Sequence, residues 1–454
     1  MSGRFVNVDR DTPYLLPPSV QDWLPENHLA RFVIEIVDRL NLRELNSGYQ
    51  GRGSEAFPPS MMVALLFYGY ATGVFSSRQL ERATFDSVAF RYVAGNRHPD
   101  HDTIAHFRKR FLKELSALFV QILGIAQQVG VLKLGKVTLD GTKVHANASK
   151  HSALSWEHAC KIEAQLQAEV ELLMHLAEAA DQAEIPDGMS VPQELERREA
   201  RLAAIAQAKA AIEARAAERY AQEKAAHEQK LAERSAKEQS SGRKPGGRPP
   251  AEPQPGPQPK EQVNLTDADS RIMPTSAGGF EQAYNAQAAV DVDTMLIVEQ
   301  HVSQNPNDKQ EVAPALENLQ AMADVVGRPE ALITDNGYFS ADNVDACHAH
   351  GVEPYIAAGR DAHYPPLAER LSEPAPVAAD ASAVDRMKHR LRTPEGRAVY
   401  ATRKGTVEPT FGIIKSVLGF RQFLLRGLPA VQHEWTLVCI GWNMKRLHRL
   451  QMAV

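Results

Sequence analysis

The sequence predicts an α/β protein: helices against a mixed sheet, preceded by an all-helical domain and interrupted by a helical insertion. Three observations carry this expectation. The apolar runs Val137–Leu139 and Ala331–Ile333 read as short buried strands, each leading to an aspartate with a glycine close behind. Two more strands, Gln282 to Asp291 and Met295 to Val302, precede a helical pattern that Asn307-Asp308 can cap and that runs through Leu319. Ahead of them, residues 1–130 carry apolar side chains at helical intervals.

In that first segment, Leu29, Phe32, Val33, Ile36 and Val37 share one helical face, and Met62, Leu65 and Leu66 share another. Met61 to Phe75 is the most apolar stretch. It is shorter than a membrane span and broken by Gly69 and Gly73, so it reads as a buried helix. His101 to Phe111 reads as a short helix with Asp100 or Asp102 as N-cap, and basic residues led by Arg108 toward its end suit a DNA groove.

Residues 154–264 separate a first piece of the sheet, 131–153, from the remainder, 265–454. Ile162, Leu166, Val170 and Leu173 mark one helix, and Pro186-Asp187-Gly188 breaks it. Ser190 and Gln193 form a capping box, and Leu195, Leu202, Ile205 and Ile212 follow at heptad-like spacing. Two antiparallel helices folded as a hairpin explain the pattern. The run Ser241 to Pro250 then reads either as an extended linker or as an arm whose Arg243 and Arg248 enter a narrow minor groove. Trp435, Leu437, Val438, Ile440 and Trp442 read as a final core helix.

The 454 residues have a net charge of −5, which taken globally argues against a polyanionic partner. The distribution argues otherwise. Between Asp385 and Arg426 stand ten basic residues, among them Arg403, Lys404, Lys415, Arg421 and Arg426, against three acidic ones, a phosphate-binding stripe. Cys160, Cys347 and Cys439 have no metal-ligand spacing and fit a reducing compartment. Met1 to Leu16 lacks the apolar core of a signal peptide, so a cytoplasmic protein with no membrane partner is expected.

Asp140, Asp335 and Glu408 are the candidate chemistry. One aspartate at a strand end is more often a turn or cap residue than a ligand. Here Gly141 is expected to let the chain turn and expose Asp140, and Gly337 to do the same beside Asp335, while Glu408 sits on an amphipathic helix. Carboxylates far apart in sequence but brought together suit two hard divalent cations, which point to cutting and joining nucleic acid.

At these residues the chain resembles bacterial insertion-sequence transposases of the DDE class. The likeness runs from an InsH-type helical domain ending in Arg97-His98-Pro99-Asp100 through Asp140-Gly141-Thr142, Asp267 to Met273 and Tyr284-Asn285-Ala286-Gln287 to Asp335-Asn336-Gly337-Tyr338. Its most specific part is Tyr400 to Glu408 with Lys415. The related Tyr, Arg, Glu, Lys series leaves three residues between Arg and Glu; here Arg403 leaves four and Lys404 leaves three, so both are candidates for DNA contact. The resemblance implies a ribonuclease H-like core in which Asp140, Asp335 and Glu408 hold two Mg2+ ions, with Mn2+ as a substitute. It also implies double-stranded DNA partners, namely terminal inverted repeats and target, and a homodimer or larger assembly on paired ends in the nucleoid. A nuclease that only hydrolyses, or a non-catalytic DNA-binding descendant, are the alternative readings.

Overall fold

The computed structural model describes residues 19–49, 56–149, 152–179, 190–241, 246–247, 249–275, 278–359, 374, 376–378 and 380–451. Arg243 and Arg248 lie outside them. The chain divides into two compact units: residues 1–144, 285–425 and 429–454 form the first, and residues 145–284 with 426–428 the second.

In the first unit, helices α1 (Leu29–Arg39), α2 (Arg43–Ser47), α3 (Pro59–Thr72), α4 (Ser77–Asp86), α5 (Val88–Val93), α6 (His101–Arg110) and α7 (Leu112–Gln128) precede strand β1 (Lys136–His145). Ten consecutive residues of α3, Met62 to Ala71, are buried, so this apolar stretch is a core helix. Among the described residues no single helix is long and apolar enough to cross a membrane. Asp100 caps α6 by accepting the Thr103 N–H at 2.7 Å.

The second unit holds the insertion. The short strands β2 (Ala153–Ser155) and β3 (Gln262–Asn264) pair antiparallel at its base. Between them stand α8 (Trp156–Ala179) and the 51-residue α9 (Val191–Ser241). The two helices run antiparallel, since Arg198 pairs with Glu169 and Lys209 with Glu163, with partner numbers falling as α9 advances. Leu154, Leu166, Ile205, Ile212 and Val263 form a separate apolar core there. The break that the sequence places at Pro186-Asp187-Gly188 lies outside the described residues. Strand β4 (Arg271–Pro274) pairs antiparallel with the beginning of β5 (Phe280–Asp291) in the same unit.

Ser155 and Gln262 are register partners, so a two-residue turn can join the chain there. Replacing Trp156–Glu261 with a short Gly-Ser turn is expected to leave the first unit folded, with its melting temperature moved by less than about 5 °C. Loss of its cooperative transition in calorimetry would make the insertion part of that core.

The first unit's sheet has the order β6-β5-β1-β7-β8, where β6 is Ile297–Ser303, β7 Ala331–Thr334 and β8 Glu353–Ile356. β6 runs antiparallel to β5, whereas β1, β7 and β8 are mutually parallel, so the sheet is mixed as expected. Helices α10 (Val312–Ala321), α11 (Ala323–Val326) and α12 (Ala341–Ala349) make the crossovers, and α13 (Ala383–Arg392), α14 (Pro394–Gly412) and α15 (Leu428–Gln451) follow. The tail is a core helix. Asn443 donates to the Ile297 carbonyl and accepts its N–H, both at 2.8 Å, and the Trp435 indole donates to the Gln287 carbonyl at 2.9 Å. A Cβ at Gly441 would lie 2.7 Å from the Tyr70 backbone, so only glycine allows this approach to α3.

Two local expectations are corrected. Asp140 does not end its strand: β1 continues to His145, because Thr142 and Val144 favour extended backbone and Gly141 makes no turn. The helix expected to be capped at Asn307-Asp308 begins at Val312, after Glu311.

Candidate active site

Parallel pairing puts Lys136, Val137 and Thr138 beside Ala331, Leu332 and Ile333, so the continuation of β1 and the end of β7 present Asp140 and Asp335 at one edge. Asp335 caps the short 3-10 turn Asn336–Tyr338, its Oδ1 accepting the Gly337 N–H at 2.7 Å. Glu408 comes from α14, where the next residue, Pro409, sits inside the helix without an N–H to donate. A π-helical turn, Ile413–Val417, follows directly. Glu408 and Lys415 are therefore not two regular α-turns apart.

One guanidinium gathers the three acids. Arg403 lies 2.8 Å from Asp140 Oδ2 and 3.5 Å from Asp335 Oδ2 through one terminal nitrogen, and 3.0 Å from Glu408 Oε1 through the other. The side chains of Arg403 and Asp140 are 13% and 17% exposed, against 41% for Asp335 and 50% for Glu408, so the first two form the floor of the site. Burial pushes the Asp140 carboxyl up to about 6, and Asp335 and Asp308 add to this, while Arg403 and the Gly141 N–H oppose it. Burial works against the charge on Arg403, yet Asp140 and Asp335 hold its pKa above the ordinary value. Its Nε is buried without a partner among the described residues.

Asp308, read from sequence as a cap, faces this site instead. Its Oδ1 accepts from Asn285 Nδ2 at 2.7 Å and Gln287 Nε2 at 2.8 Å, and pairs with Lys143 at 3.3 Å. A Cβ at Gly141 would meet Gln287 Nε2 at 2.2 Å and Asp308 Oδ1 at 2.7 Å, so this glycine makes room for the polar cluster rather than a turn. The preceding loop is tied by buried Glu311, which accepts from Ser303 Oγ at 2.7 Å and Asn305 Nδ2 at 2.8 Å. Glu311 Oε2 also bonds His301, whose other nitrogen lies 2.8 Å from Glu299. Burial would lower the His301 pKa, but the two glutamates raise it to about 10.

Tyr400, Arg403 and Lys404 line one recess of about 520 Å³ together with Lys388, Arg392 and Arg397. Lys415 donates to the Lys143 carbonyl at 2.7 Å, and Arg421 to the Lys415 carbonyl at 3.1 Å. Burial, Lys143 and Arg421 together lower the pKa of Lys415. Arg426 belongs to the second unit, where it donates to the Asn147 carbonyl. Arg108 does not face a groove: it is buried, donating to the Tyr70 hydroxyl at 3.2 Å and the Phe75 carbonyl at 3.0 Å. The helical period explains this correction, since Ile104 and Arg108 stand four residues apart on the inward face of α6.

Two family models match this chain, a transposase domain over residues 18–110 and a transposase DDE domain over residues 256–444. The chain belongs to the DDE-class transposases of insertion sequences. No curated protein and no solved structure gives a significant match. Enzymes of this class cleave DNA and normally use divalent metal ions. Among the described residues, no group of three or more His, Cys, Asp or Glu side chains is arranged to hold a metal ion. The donor chemistry still suits one. Three hard carboxylates meet at a single cation, and Asn285 Oδ1, 2.9 Å from the Cβ position of Gly141, is buried with no partner among the described residues.

Proposed function

We propose that this transposase nicks the ends of its element and joins them to target DNA, using Asp140, Asp335 and Glu408 in a ribonuclease H-like core to hold two Mg2+ ions. The observation that carries the reading is the convergence of these acids, from two neighbouring strands and a helix, on the one cation of Arg403. When bound, the metal ions would supply charge stabilisation to the entering and leaving oxygens of a phosphodiester, and Mn2+ would serve in their place. Arg403 offsets part of their negative charge until then.

Water attacking at the element end leaves a 3′-hydroxyl on that end and a phosphate on the flanking strand. The hydroxyl then attacks a target phosphodiester and releases a target 3′-hydroxyl, so one bond forms for each that breaks. Lys388, Arg392, Arg397 and Lys404 give the adjacent recess the charge to hold phosphates, and the Tyr400 ring adds a face for a sugar or base. Lys415 holds β1 through the Lys143 carbonyl, close to Asp140. Arg421 and Arg426 extend the basic segment. The substrates on this reading are terminal inverted repeats and target duplex, held as a pair by a homodimer or larger assembly in the cytoplasm.

The test incubates the purified protein with Mg2+, labelled element ends and a supercoiled target. Joined products are expected. Nicked ends that never join to target would assign the site to hydrolysis alone.

A further inference from the structure

Asp308 sits between the two strand-borne acids, and nothing in the established activity assigns it a part. Its Oδ1 takes up the amides of Asn285 and Gln287, alternate residues on one face of β5. Gln287 is thereby fixed in one orientation, with its Oε1 accepting from the buried Tyr338 hydroxyl. Tyr338 closes the 3-10 turn that Asp335 caps, so a continuous chain of hydrogen bonds runs from Asp308 to the turn bearing Asp335. Asn343 strengthens it by donating to both the Tyr338 carbonyl, at 2.6 Å, and the Lys309 carbonyl, at 2.8 Å. Toward the other acid, Asp308 packs against Gly141 and pairs with Lys143, both on β1 just beyond Asp140.

We infer that Asp308 is a fourth acidic residue of the site, a positioning residue that fixes Asp140 and Asp335 relative to one another and adds negative charge beside the divalent cations. Three features of the cluster support this. Both donors to Asp308 are neutral amides, so Lys143 is its one close cation among the described residues. Its Oδ2 lies 3.8 Å from the Cβ position of Gly337, on the Asp335 side, where Asp335 Oδ1 approaches the same point to 2.9 Å. Asn285 Oδ1, an oxygen on a fully buried residue with no partner among the described residues, stands in the same cluster. A purely structural carboxylate would not need to sit where like charges crowd, because an asparagine accepts the same two amide hydrogen bonds.

The inference rests on the reading of Asp140, Asp335 and Glu408 given above, and the experiment separates the two. Asp308→Asn, Tyr338→Phe and Asp335→Asn are made in the full-length chain. Mn2+ affinity of the DNA-free protein is measured by titration calorimetry, and nicking is resolved into kcat and KM for end DNA. Asp308→Asn is expected to weaken Mn2+ binding and lower kcat, each by about tenfold to a hundredfold, with KM unchanged. Tyr338→Phe spares the charge but cuts the chain to the Asp335 turn, so it should lower kcat by about tenfold while Mn2+ affinity stays near that of the parent. Unchanged Mn2+ affinity and kcat in Asp308→Asn, with both lost in Asp335→Asn, would overturn the inference alone. An unchanged kcat in Tyr338→Phe would remove the positioning role even if Asp308→Asn fails to fold. Should Asp335→Asn also bind Mn2+ as the parent does, the reading of the three acids falls, and the inference with it.

Discussion

Asp335→Asn is expected to bind element-end DNA like the parent but to lose magnesium-dependent nicking by about a thousandfold or more, some 4 kcal/mol of barrier. The fold should survive because asparagine retains the oxygen that accepts the Gly337 N–H and caps the turn. What disappears is the anionic oxygen 3.5 Å from Arg403, the one facing the other two acids. A neutral amide oxygen is a poor ligand for a hard divalent ion. Gel shift with end DNA, a thermal melt and a nicking assay are run on the same preparation. Parental nicking rates would remove Asp335 from the chemistry.

The largest effect on stability is expected at His301. The imidazolium lies between Glu299 and Glu311, all three nearly or fully buried, so it is the charge that lets two carboxylates remain inside. His301→Leu leaves them unneutralised and should cost about 3–5 kcal/mol, lowering the melting temperature by about 10 °C. The pH dependence has a definite sign. The folded pKa of His301 is raised from 6.5 to about 10, so its contribution is complete below about pH 6.5 and is lost as pH rises through about 10. Urea midpoints measured from pH 6 to 10 should therefore fall in the parent, with this part of the slope absent from His301→Leu. Equal slopes in the two proteins would show that His301 is neutral in the folded state.

Apolar runs made the strands that carry or lead to Asp140 and Asp335 legible, since two buried β segments each followed along the chain by an acid leave few arrangements of a sheet. Glu408 was legible through the company of Tyr400, Arg403 and Lys415. Asp308 was misread because an Asn-Asp pair before an apolar helical run is the common signature of a cap, whereas the helix starts at Val312, after Glu311, whose side chain bonds His301. A signal was nonetheless present in Tyr284-Asn285-Ala286-Gln287. Polar residues alternating along a strand that is otherwise buried need partners inside, and an acid is the natural acceptor for two amides. Gly141 was misread for the same reason, because its crowding comes from residues more than a hundred positions later. Arg108 was legible in principle, four residues from Ile104 on the inward face. The basic recess was only partly so, because β8's end, α13 and α14 each supply some of its wall.

The separation of the acids along the chain has a consequence for protein synthesis. Strand β1 leaves the ribosome early, but its parallel partner β7 lies about 200 positions later, and nearly all of the second unit, residues 145–284, is made between them. Glu408 is translated later still, on a helix that follows every strand of the sheet. A chain cut short before residue 408, whether by a premature stop or by a frameshift, therefore carries at most two of the three carboxylates that meet at Arg403. On the function proposed above, cleavage would begin only with nearly complete translation.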